Sequence, residues 1–146
     1  MKKIAIGLIA GLALLQAGAE DLNWMTDLPK AQAKAKTENK LVLMDFTGSD
    51  WCGWCIKLHK EVFSKPEFSE YAKKNLVLLE VDFPRSKEQS AELKRANQAL
   101  QGKYKIEGYP TIIVLNGEGK KVGELGYMAG GPTAFIAELE KLKKKT

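Results

Sequence analysis

The run Leu41-Val42-Leu43-Met44-Asp45-Phe46 carries one charge among five apolar side chains. It is too continuous in apolar residues for a sheet wetted on one face, so it predicts a strand buried on both sides. Such a strand must have helices above and below it. Leu76 to Phe83 is a second strong strand, closed by Pro84.

The remaining pattern supplies the helices. Asp27 is placed to cap a helix with Pro29 in its first turn, running to Glu38. Thr47-Gly48-Ser49-Asp50 reads as a loop. A helix starting near Cys52 would put Cys55, Leu58, His59 and Val62 on one face. Ser64 and Pro66 interrupt it, and Phe68, Tyr71 and Ala72 resume it. Ser86 to about Lys103 reads as helical, with Leu93, Ala96, Leu100 and Tyr104 on one side. Ile112 to Leu115 is a strand, Asn116 to Gly119 a turn, and Val122 to Leu125 a short antiparallel strand. A last helix turns Phe135, Ile136, Leu139 and Leu142 inward. The order predicts an α/β domain with a central mixed sheet and helices on both faces.

Residues 1–19 read as a signal peptide. Lys2 and Lys3 precede an apolar stretch from Ile4 to Leu15, and Ala17-Gly18-Ala19 gives small residues at the cleavage positions. The stretch is short of the ~20 residues a membrane-spanning helix needs. Cleavage near Ala19 would leave a domain of residues 20–146 starting at Glu20, periplasmic or secreted. Removing the two lysines lowers the net charge from +5 to +3. That surplus does not argue for nucleic acid or an anionic membrane surface, and the basic end Lys141 to Lys145 fits a helix C-terminus.

Both cysteines stand in Trp51-Cys52-Gly53-Trp54-Cys55, at a strand-to-helix junction. Outside the cytosol they could be a structural staple. A disulfide closing so short a loop would constrain the unfolded chain little, so the pair makes a better reagent than a staple. Thiolate is the attacking species, and a helix start can bring a thiol from about 8.5 to near 7. Gly53 and Trp54 add neither charge nor histidine, which favours a reductant over an oxidant. Cys52, nearer the loop, is expected as the exposed nucleophile, and Cys55, one turn into the helix, as the resolving thiol. Asp45 is the candidate base for Cys55, because a carboxylate inside an apolar strand is costly without a role. The alternative is an acid exposed at the strand end. Trp51 and Trp54 could pack, or form an apolar apron for a partner polypeptide. Trp24 is assigned to packing of the N-terminal segment, and Lys57 to the solvated side of its helix. His59, on the Cys55 face, could tune that thiol, but packing is the commoner role for such a residue.

Asp45-Phe46, Trp51 to Cys55 and the distant Tyr109-Pro110-Thr111 together resemble the thioredoxin family, in particular its exported bacterial thioredoxin-like branch. The similarity covers about residues 40–143. It implies a thioredoxin fold, with Cys52 as nucleophile and Cys55 as resolving thiol. It also implies a cis Tyr109–Pro110 peptide facing the dithiol, with the backbone of Tyr109 pairing an extended substrate segment. Trp51, Gly53, Trp54, Tyr109 and Pro110 are then the substrate-binding residues. Trp54 stands where cytosolic thioredoxins commonly have proline. Asp45 and Cys52 are one residue further apart than in those proteins, so the loop from Thr47 to Asp50 must bulge.

The function expected is an exported thiol:disulfide oxidoreductase, more a reductase than an oxidase. It would need no cofactor and no resident metal. Its expected partners are protein thiols or disulfides and a membrane electron donor or acceptor, with no nucleic acid, and the chain is expected to be a monomer. A soft-metal (copper or zinc) carrier using Cys52, Cys55 and His59 is the alternative from another class. A binding module that kept the fold but lost the chemistry is a third.

Overall fold

The computed structural model describes residues 22–146, so the signal segment 1–19 and the start at Glu20 lie outside the described residues. The described chain runs β1 (Trp24–Met25), α1 (Leu28–Glu38), β2 (Leu41–Thr47) and α2 (Gly53–Leu58). A π-helical turn (His59–Phe63) leads into α3 (Pro66–Asn75) and β3 (Leu76–Asp82). Then come α4 (Ala91–Lys103), β4 (Thr111–Leu115), β5 (Lys121–Leu125) and α5 (Gly131–Lys143).

The strands form one five-stranded mixed sheet in the order β1-β3-β2-β4-β5. β3 is parallel to both β1 and β2. β4 runs antiparallel to β2, and β5 antiparallel to β4. All of β2 is buried, as its unbroken apolar run requires. Its alternate side chains feed two cores. Leu41 and Leu43 join Leu58, Val62, Phe63, Phe68, Phe135 and Leu139 under α2, α3 and α5. Val42, Met44 and Phe46 join Ala31, Ala35, Leu79 and Ile113 on the face that α1 covers.

Asp27 caps α1 by accepting the Lys30 N–H, and Asn39 ends it in the left-handed conformation. Three expectations need correction. The helix expected from Ser86 starts at Ala91, because Asp50 takes the N–H groups of Arg85, Ser86 and Lys87 and holds that stretch as a loop. Ser90 is its cap, and Asn97, not the exposed Ala96, is its buried residue. The second helix is divided by the π-helical turn, in which the Ser64 N–H reaches back to the His59 carbonyl. The extra residue turns His59 outward while Leu58, Val62 and Phe63 stay in the core. Third, β1 pairs Trp24 and Met25 with Leu78 and Leu79, and a strand so short has no periodicity to read.

Candidate active site

The site lies where β2 ends and α2 begins. Phe83 N–H still bonds the Thr47 carbonyl, and the chain then turns sharply, with the N–H groups of Trp51 and Cys52 both reaching the Gly48 carbonyl. Ser49 donates through both its N–H and its hydroxyl to Asp82. Asp50 collects the three N–H groups from the segment after β3. The register of β2 against β3 and β4 is unbroken through Asp45, so the additional residue between Asp45 and Cys52 is absorbed in this tied turn.

Cys52 is the N-cap of α2, and its sulfur accepts the Cys55 N–H at 3.2 Å. The two cysteines form a disulfide with Cα atoms 5.2 Å apart. Cys52 was expected to be exposed, but in the disulfide it is 7% exposed against 5% for Cys55. The bond to Cys55 draws its sulfur onto the first turn of the helix. Gly53 stands open at that turn, with no atom in the space a Cβ would fill.

The flanking tryptophans differ. Trp51 is half-buried: its Nε1–H donates to the Phe83 carbonyl at 2.8 Å, and the Arg85 guanidinium lies 3.8 Å from its ring centre. Trp54 is 57% exposed and packs against Tyr127, while the exposed Ile56 borders the cavity on the other side of Cys55. The exposed Lys57 ammonium sits 4.9 Å from the Trp54 ring and 5.1 Å from that of Tyr127. Trp24, packed edge-on to Phe63, is in the core as expected.

The Tyr109–Pro110 peptide is cis. Tyr109 packs edge-on to Trp51 at 5.9 Å and against Phe83 at 5.3 Å, and its hydroxyl accepts from Gln101. This aromatic cluster joins the proline loop to the cysteine loop. The structure thus brings Trp51, Cys52, Gly53, Trp54, Cys55, Tyr109 and Pro110 into one neighbourhood.

Asp45 is buried rather than exposed at a strand end. Its Oδ1 has no hydrogen-bond partner among the described residues. Burial, reinforced by the charges of Glu80 and Asp82, pushes its pKa up to about 8. A cavity of about 310 Å³ holds Asp45 and Cys55 in its wall, together with Trp24, Thr47, Ser49, Ile56, His59, Glu80 and Lys87. His59 is therefore not the packing residue expected but an exposed side chain at the cavity's wall. A carboxyl that ionises near neutrality, in one cavity with a buried cysteine, can exchange a proton with it.

Sequence reasoning missed Glu80, Arg85 and the tied turn. Glu80 had a readable signal, since it interrupts an apolar strand just as Asp45 does. The ties of Ser49 and Asp50 span 33 to 37 residues and have no local signature. Among the described residues no group of three histidine, cysteine or acidic side chains is placed to hold a metal ion.

Comparison with known proteins agrees with this geometry. A family model described as a thioredoxin-like domain matches residues 28–143. The disulfide bond reductase DsbH of Chlamydia pneumoniae is 34% identical over 126 residues, covering 86% of this chain and 75% of that protein. The thioredoxin-related protein DsbJ of Chlamydia pneumoniae is 32% identical over 134 residues, covering 87% of this chain but 38% of that protein. A solved DsbH oxidoreductase structure superposes with a TM-score of 0.81 at 31% identity, covering 98% of this chain and 95% of that one. The chain therefore belongs to the thioredoxin-like family, with its thioredoxin fold and the cysteine pair of a thiol–disulfide oxidoreductase.

Proposed function

We propose that this chain is an exported reductase of protein disulfides, made as a precursor whose residues 1–19 are removed. The observation that carries the reading is the Cys52–Cys55 pair at the head of α2, with buried Asp45 lining the same cavity as Cys55. In the reduced protein Cys52 attacks a substrate disulfide; one substrate sulfur leaves as thiolate and the other stays bonded to Cys52. Asp45 takes the Cys55 proton. Cys55 then attacks Cys52, the second substrate sulfur leaves, and two electrons have passed from the pair to the substrate.

The direction follows from how little favours the Cys52 thiolate. The Cys55 N–H is the donor that meets its sulfur, and no charged side chain stands between the cysteines. A strong oxidant stabilises its reduced, ionised form much further. The name of the Chlamydia pneumoniae DsbH protein, a disulfide bond reductase, points the same way. Trp54 and Ile56 would seat an apolar stretch of substrate, Trp51, Gly53 and Pro110 would border it, and the Tyr109 backbone would pair with it. The pair would then be re-reduced by a membrane electron donor, the chain acting as a monomer without cofactor.

The test is the equilibrium reduction potential of the pair. A value near about −270 mV supports the reductase, and one near about −120 mV would make it an oxidant. Insulin reduction abolished by Cys52→Ser, with mixed disulfides accumulating in Cys55→Ser, would establish the order of attack. Accumulation in Cys52→Ser instead would reverse it.

A further inference from the structure

One face of the sheet changes character beneath α2. On β2 the side chains of that face run Leu41, Leu43, Asp45; on β3 they run Leu76, Leu78, Glu80, Asp82. Both rows start in the core, and Asp45 on one and Glu80 on the other reach the wall of the cavity. Asp45 and Glu80 are register partners on neighbouring parallel strands, so their side chains leave the sheet side by side. Asp45 is buried, with Oδ1 unpartnered among the described residues, and Glu80 is half-buried; both share the cavity wall with Cys55, Lys87 and His59.

Two carboxyls placed in this way cannot both ionise freely, and the charge of Glu80 helps to hold the proton on the more deeply buried Asp45. Other groups grade the pair. Burial, then the charge of Asp82, raises the Glu80 pKa, Lys87 and His59 oppose this, and the side-chain hydrogen bond of Glu80 is with Asp82. Lys87 is itself 3.6 Å from Asp82. The partner of Asp45 on β4 is the apolar Ile112, β1 contributes Trp24 to the cavity, and α2 contributes Cys55 and Ile56.

We propose that Glu80, the register neighbour of Asp45 in the wall of the same cavity, sets the proton affinity of Asp45, which receives the proton of Cys55 and passes it on to the cavity. The role rests on the reading of Asp45 as the base of the resolving step. In that step the Cys55 S–H bond breaks and its proton goes to Asp45. The Cys55–Cys52 bond forms, and the bond from Cys52 to the substrate sulfur breaks with its electron pair leaving on the substrate. Asp45 then gives that proton up to the cavity, which restores the base. Glu80 is thus a positioning residue that acts through Asp45.

The experiment measures the rate of mixed-disulfide resolution against pH in the mature protein and three variants. In Glu80→Gln the charge beside Asp45 is gone, so Asp45 ionises more easily and the midpoint of the acid limb falls by about one pH unit. The exposed Lys87→Met, which leaves the core untouched, moves it upward. Asp45→Asn removes the limb. Unmoved midpoints in Glu80→Gln and Lys87→Met, with the limb lost in Asp45→Asn, would overturn the pair and keep Asp45 as base. A limb that survives Asp45→Asn would overturn the base and the pair together. Carboxyl-carbon NMR of the unsubstituted protein reads the same coupling without any variant: two-step titration of both carboxyls supports the pair, and independent single steps refute it.

Discussion

Gly48 sits under the Trp51 indole, where a Cβ would overlap the ring. The indole cannot retreat, because it is bonded to the Phe83 carbonyl, met edge-on by Tyr109 and covered by Arg85. Gly48→Ala is therefore expected to cost about 1–3 kcal/mol, as other overpacked sites do, and to slow disulfide exchange by displacing Trp51. Urea denaturation with parallel insulin turnover would check both. At this scale the sequence was legible wherever a residue broke its surroundings, as Asp45 does in β2 and the cysteines do at the strand's end. The same argument applies to Glu80, which breaks the apolar run of β3 as Asp45 breaks that of β2. The exposure of Cys52 was misread for another reason: its place at a helix start does not fix how the sulfur packs, and here it is bonded to Cys55 and accepts the Cys55 N–H.

Elements were legible in proportion to their local punctuation. Asp27, followed by Pro29 and an alanine-rich stretch, gave α1 at both ends. Replacing Asp27 by Ala would leave the Lys30 N–H without its acceptor and cost about 1 kcal/mol, seen as a lowered Tm with no change in reduction potential. Unchanged stability would mean that solvent serves that N–H equally well. The start of α4 was misplaced because residues 86–90 have helix-compatible side chains, and a distant carboxylate decides their conformation. The π-helical turn was also out of reach. It leaves the spacing of apolar residues nearly helical while rotating His59 away from the core.

Across the whole molecule, two cores close over a sheet whose architecture was legible, because β2 is apolar on both faces. Stability should nonetheless depend on pH through Asp45. Its folded pKa is raised from 3.8 to about 8, so the native protein keeps a proton that the unfolded chain sheds. The contribution is full below 3.8 and declines as pH rises toward about 8. At about 1.4 kcal/mol per unit, the loss reaches a few kcal/mol at the upper end. Asp45→Asn should match the parent near the lower value and exceed it increasingly toward the upper one. Thermal melts across that range test this, and parallel curves would show that the carboxyl ionises without penalty.

The turn that carries the cysteines is fastened to the segment after β3 by polar ties, with the Asp50 carboxylate taking three N–H groups beside the Trp51 bond to Phe83. Hydrogen bonds from Arg85, Lys87 and Ser86 hold the Asp50 pKa below its usual 3.8, so this clasp is closed above that value and released as acid carries the pH beneath the lowered one. The apolar layers have no comparable weakness. A brief acid pulse should thus unlatch the doorway while the walls stand: deuterium would enter early at the amides of Arg85, Ser86 and Lys87, and late at Leu43 and Val77.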